Sequence, residues 1–186
     1  MYAKLVYMES KNAKYGTMGN PQERSLAWLA GILEAEGSIS FQAYIKKNGC
    51  VMIQPYLCIV NTDEKIIDEC MKLMRQILEG EKNAKPRICG HSGTNRKCVN
   101  LRVDGRSCRI ILKVLLPYIV GEKRHNAEVV IKYIDNRDGL MFSRDKLGRL
   151  RRKGYTRKEI ELVCSIRTHK LAKSSETICR AANVIG

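Results

Sequence analysis

The sequence predicts an α+β domain built on an antiparallel sheet, and three observations carry that prediction. Apolar spacing switches between a helical and a strand period along the chain. The strands come in adjacent pairs joined by short turns, and they are not separated by the regular helical crossovers that a parallel sheet requires. At 186 residues the chain has room for one well-filled domain rather than two.

Residues 1–20, with Gly16 and Gly19 and no apolar periodicity, read as a loosely held arm, and residues 21–186 as a single domain with a basic, helical C-terminal region. Pro21 opens a helix in which Leu26, Leu29, Ala30 and Leu33 share a face, and Gly37 is suited to end it. From Ser38 to Lys46 polar and apolar residues alternate, which puts Ser40, Gln42, Tyr44 and Lys46 on one strand face. Lys47-Asn48-Gly49 is a turn, and a second strand from about Cys50 to Val60 completes a hairpin. Asn61-Thr62-Asp63 then caps a helix carrying Ile66, Ile67, Cys70, Leu73, Met74 and Ile77. The pattern repeats with short strands near Lys85–Cys89 and Lys97–Val103, joined by the His91–Asn95 turn. Helices at Arg106–Val120 and Asn126–Asp135 follow, and a last helical region starts at Lys158.

The charge balance, 34 Lys and Arg against 19 Asp and Glu for a net +15, favours a polyanionic partner, with nucleic acid foremost. A membrane-surface protein would need a basic amphipathic helix, which neither end supplies. No apolar run approaches the roughly 20 residues of a bilayer span, and the N-terminus has no signal-peptide core, so a soluble, non-secreted protein is expected. The eight cysteines show no paired CxxC spacing, which fits reduced thiols; Cys89, His91 and Cys98 make only a partial metal site without a fourth ligand. Between Arg144 and Lys158 eight basic residues face one acid, a density that favours phosphate contact, by Arg151, Arg152 and Lys153 among others, over a merely solvated helix face.

The informative segment is Leu29-Ala30-Gly31-Ile32-Leu33-Glu34-Ala35-Glu36-Gly37. Ala27, Gly31 and Ala35 recur every four residues and form a stripe of small side chains along which a second helix can pack closely. The chain has no second copy of this stripe, so the partner helix comes from another chain and a two-fold dimer is predicted. Glu34 and Glu36 sit at the helix C-terminus, where the macrodipole disfavours an anion and a cation would relieve the strain. Taken alone, two solvated glutamates in a frayed last turn would be the simpler account.

The segment resembles the LAGLIDADG motif of homing endonucleases in its Leu-Ala-Gly opening and its acid-small-acid-Gly close. The resemblance continues through the strand hairpin and the Pro117–Ala127 region and, more loosely, to Ser174-Ser175-Glu176-Thr177. It implies an αββαββα fold with a saddle-shaped antiparallel sheet lying in the DNA major groove, a homodimer, and double-strand cleavage of a long, near-palindromic site leaving 3′ overhangs. Glu36 matches the metal-binding acid, where Asp is commoner; the implied ion is Mg2+ or Mn2+, with Ca2+ supporting binding without cleavage. Asn61 falls where the family places a water-positioning polar residue. Lys123 matches the basic residue after the Leu-Pro-aromatic segment, Arg124 is the alternative, and Lys65 is a second basic partner.

In that frame Gln42, Tyr44, Lys46, Gln54, Tyr56, Arg87, Asn100 and Arg102, with Ser40, are the candidate base-reading residues, chosen by strand face and chemistry. Two other functions on the same fold stay open. One is a maturase that binds a group I intron RNA, and the other a DNA-binding regulator that does not cut. Organellar, bacterial and phage settings are equally compatible with the sequence.

Overall fold

The structure is a computed structural model that describes residues 20–47, 51–81, 85–89, 98–139, 143–144, 150–151 and 154–166. The arm expected at residues 1–20 lies outside them except for Asn20, as do Asn48, Gly49, the whole His91–Asn95 turn, Arg152, Lys153 and Ser174–Thr177. Helix α1 (Pro21–Glu36) begins where the Asn20 side chain accepts a hydrogen bond from the Gln22 amide at 3.1 Å, with proline in the first turn, where its missing N–H costs nothing. Strand β1 (Gly37–Ile45) follows without a loop. Gly37 ends the helix as expected and is extended there, with φ −93°. Glycine is needed there for space, because a Cβ would overlap the Leu33 side chain and carbonyl oxygen.

Strand β1 pairs with β2 (Val51–Asn61) from Gly37 opposite Ile59 to Ile45 opposite Val51. Helix α2 (Glu64–Ile77) leads on to β3 (Arg87–Cys89) and β4 (Val99–Asp104), giving an antiparallel sheet in the order β1-β2-β4-β3. This is the expected αββαββα order through α3 (Gly105–Leu115). One sheet face, carrying Ile39, Phe41, Ile53, Leu57, Ile59, Leu101 and Val103, is buried in a single apolar core with Leu29, Leu33, Ile67, Met74, Ile111, Leu112, Leu115 and Val130 from the helices. Each of these side chains contributes about 1.5–3 kcal/mol by leaving water, so the layered core sets the position of everything on the other face.

Two helix boundaries differ from expectation. Instead of one helix from Arg106 to Val120, α3 stops at Leu115 and a 3-10 turn covers Leu116–Tyr118, because Pro117 has no amide N–H to continue the helical ladder. The chain then reverses through Gly121, at φ 56° a left-handed position that glycine adopts freely, and α4 (Gly121–Gly139) begins there rather than at Asn126. Its first turn, Glu122-Lys123-Arg124-His125, is polar and so carries no apolar signal. Helix α4 is tied to α3 by Arg106–Asp138 (3.0 Å), Arg109–Asp135 (2.7 Å), Arg109–Asp138 (3.2 Å) and Lys113–Asp135 (3.1 Å).

Strand β4 ends opposite Tyr56, so among the described residues the first half of β2 has no neighbouring strand on that side. Two tyrosines supply the missing hydrogen bonds. The Ile53 N–H donates to the Tyr155 hydroxyl at 2.7 Å and the Tyr133 hydroxyl donates to the Ile53 carbonyl at 3.3 Å. Pro55 occupies the same stretch, where a strand without an N–H is tolerated. Tyr155 is held by Arg137 over its ring at 4.6 Å, and Arg137 also pairs at 3.3 Å with the buried Glu159. Glu159 completes a capping box with Thr156 at the start of α5 (Arg157–Ser165). A small ribbon of β5 (Ser143–Arg144) and β6 (Leu150–Arg151) lies between α4 and α5 in sequence; Arg151 is in β6. Among the described cysteines, Cys70, Cys89 and Cys108 are free thiols. Burial, with the nearby Glu69 charge, pushes the Cys70 thiol up to about 11, so it is inert as a nucleophile.

Candidate functional site

Two faces of the molecule gather the residues singled out from sequence. The first is the C-terminal end of α1. Leu29, Ala30 and Leu33 bury one side of this helix, while Ala27, Trp28, Gly31 and Ala35 lie exposed on the other, and a Cβ at Gly31 would meet nothing within 4 Å. The small-residue stripe is therefore uncovered by the described residues. At its end the two glutamates part company. Glu34 accepts a hydrogen bond from the Val120 amide at 2.8 Å, and this docks α1 on the turn before α4, whereas Glu36 is exposed.

Lys123 faces the same helix end. Its Nζ donates to the Leu33 carbonyl at 2.9 Å and also to the Glu34 carbonyl, so a partly buried ammonium meets two of the last carbonyls of α1, sharing that of Leu33 with the Gly37 amide. Its charge faces the negative end of the helix that carries Glu36. Arg124, the alternative, points elsewhere: it pairs with Glu128 at 3.2 Å and reaches the Leu116 carbonyl at 3.5 Å.

Asn61 and Lys65 lie at the same end of the sheet, because Ile59 pairs with Gly37 and β2 runs on to Asn61. Asn61 Oδ1 accepts from the Asp63 amide at 2.8 Å and Asp63 caps the Lys65 amide at 2.8 Å, a turn that aims the N-terminus of α2 toward this end. Lys65 has an exposed side chain. Among the described residues no group of three or more His, Cys, Asp or Glu could hold a metal within one chain. His91 of the partial Cys89, His91 and Cys98 set lies outside them.

The second face is the open side of the sheet. Strand alternation and register place Gln42, Tyr44, Gln54, Tyr56, Asn100, Arg102 and Arg87 on it together. Lys46 is exposed just beyond β1. Ser40 is on the expected face but only 2% exposed, a short side chain opposite Tyr56.

Asp104, which sequence reasoning passed over, organises this face. Its carboxylate accepts from Arg87 Nη2 at 2.6 Å and from Arg102 Nε at 2.7 Å. Arg102 continues to Gln42 Oε1 at 2.7 Å and lies 4.3 Å above the Tyr56 ring. One constellation thus joins all four strands. The signal available in the sequence was the Arg102-Val103-Asp104 alternation, which puts an acid and a base on one face.

The α+β arrangement with a four-stranded antiparallel open sheet is shared with known proteins. The chain is similar to the homing endonuclease I-CvuI solved with its target in the presence of calcium, with TM-score 0.55 and 18% identity over 87% of this chain and 96% of that one. It is similar to the archaeal intron-encoded homing endonuclease I-Vdi141I complexed with DNA, with TM-score 0.56 and 15% identity over 87% and 99%.

The fold is that of the LAGLIDADG homing endonucleases.

A third likeness, to the LAGLIDADG meganuclease I-CpaMI bound to uncleaved DNA, has TM-score 0.56 and 14% identity and covers 85% of this chain but 49% of that one. One copy of this chain therefore corresponds to about half of that longer LAGLIDADG protein. No family model and no curated protein matches the sequence, so the likeness is carried by the backbone arrangement. Among the described residues no helix is long and apolar enough to cross a membrane.

Proposed function

We propose that this chain is a LAGLIDADG-type homing endonuclease that works as a two-fold dimer on double-stranded DNA, cutting both strands of a long, near-palindromic site and leaving 3′ overhangs. The observation that carries the reading is the end of α1, where an exposed Glu36 stands beside an uncovered stripe of small residues. Closing the stripe against its symmetry mate would bring two Glu36 carboxylates together. The correspondence of this chain to half of I-CpaMI fits the same assembly.

The donor chemistry at this end suits Mg2+ or Mn2+, which take hard oxygen ligands. The Lys123 ammonium is taken up by the Leu33 and Glu34 carbonyls, while the Glu36 carboxylate is exposed and makes no ion pair among the described residues. Glu36 would hold the metal, with the partner's copy and DNA phosphates supplying ligands that one chain lacks. When bound, divalent metal supplies Lewis-acid neutralisation of charge at the scissile phosphate. The protein's own groups prepare the site: Lys123 and the Val120 amide keep the end of α1 in place, and Asn61 and Lys65 present polar groups at the N-terminus of α2. The open sheet face reads base edges in the major groove, and the basic Arg144–Lys158 stretch, with Arg151, Arg152 and Lys153, holds phosphates without reading sequence.

The test is selection of cut sites from a randomised DNA library in magnesium, with Glu36→Gln alongside. Wild type is expected to enrich one long near-palindrome. Glu36→Gln is expected to bind that site in calcium buffer and leave it uncut. Binding without cutting by the wild type would favour the non-cleaving regulator, and loss of binding or folding in Glu36→Gln would remove its metal role.

A further inference from the structure

The hydrogen bonds among the side chains on the open sheet face have a direction. Asp104, the acid at the centre of this face, uses both oxygens on Arg87 and Arg102 and is 15% exposed. Its position at the start of α3 would ordinarily turn that carboxylate back to cap the helix, but no such bond is made. The acceptor end of Gln42 is taken by Arg102 at 2.7 Å. Gln54 Oε1 faces the Tyr44 hydroxyl at 3.5 Å, and Asn100 Oδ1 is buried with no partner among the described residues. The Gln42 and Gln54 oxygens are thus engaged by neighbouring side chains, and the Asn100 oxygen is buried. The N–H groups of the amides and of Arg87, whose side chain is 58% exposed, remain for a ligand.

We propose that Asp104 makes the centre of this face donor-presenting, so that Arg87 reads a guanine in each half-site and Gln42 makes no paired contact with adenine. The inference rests on the reading of the sheet as a major-groove surface and adds which edges it takes. A fork of donors needs two adjacent acceptors, and in the major groove only guanine N7 and O6 provide them. An amide reads adenine by accepting from N6 while donating to N7; the Gln42 oxygen keeps a second lone pair, but the Arg102 guanidinium seated on it disfavours another donor such as N6 there. Arg102, whose side chain is 17% exposed, acts as a strut: it spans Asp104, Gln42 and Tyr56 and holds the donors in register. Asp104 is a positioning residue in this account.

The experiment is selection of bound sites from a randomised duplex library in calcium buffer, using the full chain as wild type, Arg87→Ala, Gln42→Ala and Asp104→Asn, with melting and sedimentation of each. The base pair whose preference relaxes in Arg87→Ala is the one that Arg87 faces, and it is expected to be G·C in the wild type. Asp104→Asn is expected to reduce that preference about tenfold while the outer positions keep theirs. An A·T pair at the Arg87 position, adenine at the Gln42 position, or an unchanged guanine preference in a folded Asp104→Asn protein would each overturn the inference and leave DNA reading intact. If Asp104→Asn does not fold, the base identity found with Arg87→Ala and Gln42→Ala still decides. Failure of the wild type to enrich any sequence would overturn the major-groove reading, and this inference with it.

Discussion

A single ammonium illustrates how much a residue's role depends on what surrounds it. Lys123 and Arg124 are adjacent in sequence and equally charged, but only Lys123 reaches the last carbonyls of α1. Hydrogen bonds to a charged donor contribute about 1.5–3 kcal/mol, so Lys123→Ala is expected to lower unfolding free energy by about 1.5 kcal/mol, near the bottom of that range because the ammonium is only partly buried. Arg124→Ala, which removes an exposed pair with Glu128, should change it by less than about 0.5 kcal/mol. Urea unfolding of the two variants makes the comparison, and equal losses would show that Lys123 does not anchor the helix.

At the scale of elements, the alternation in Ser38–Lys46 and Cys50–Val60 was enough to find β1 and β2 and to put Gln42, Tyr44, Gln54 and Tyr56 on one face, since the pleat alone determines which side chains point together. The direction of their hydrogen bonds was not legible, because it arises from contacts such as Arg102 with Gln42, sixty positions apart. The tyrosine clamp on β2 was hidden for the same reason, Tyr155 lying 102 positions from Ile53 inside a stretch that reads only as basic. Tyr155→Phe leaves a strand N–H without its acceptor and is expected to cost about 1–3 kcal/mol by denaturant unfolding with an unchanged slope.

The α3–α4 pairing makes a pH prediction at the same scale. Burial raises the Asp135 pKa, but hydrogen bonds from Arg109 and Lys113 and their charges outweigh it, so the carboxyl is held below its usual value of 3.8. Its folded-state pKa is depressed, so its stabilisation is present above pH 3.8 and is lost as pH falls below 3.8 through the folded value. Melting temperature should therefore fall more steeply in that acid window for the wild type than for Asp135→Asn. Parallel curves would mean that the pairing contributes nothing to stability.

For the whole molecule, the Leu29–Gly37 segment was the legible core of the site because its small residues and acids are local in sequence. It also determines the predicted assembly. No described residue would lie within 4 Å of a Cβ at Gly31, so Gly31→Leu should fold as well as the wild type while blocking close approach of a second α1. Sedimentation is expected to give a dimer for the wild type and a monomer for the variant, and a dimeric Gly31→Leu would place the interface elsewhere.

The most direct test of the account is anomalous scattering from a crystal of the protein bound to its selected DNA and soaked in manganese. Manganese is expected at the Glu36 carboxylates of both protomers, beside the phosphates to be cut. Manganese bound away from Glu36, or two Glu36 residues far apart with the Ala27–Ala35 stripe facing solvent, would contradict it.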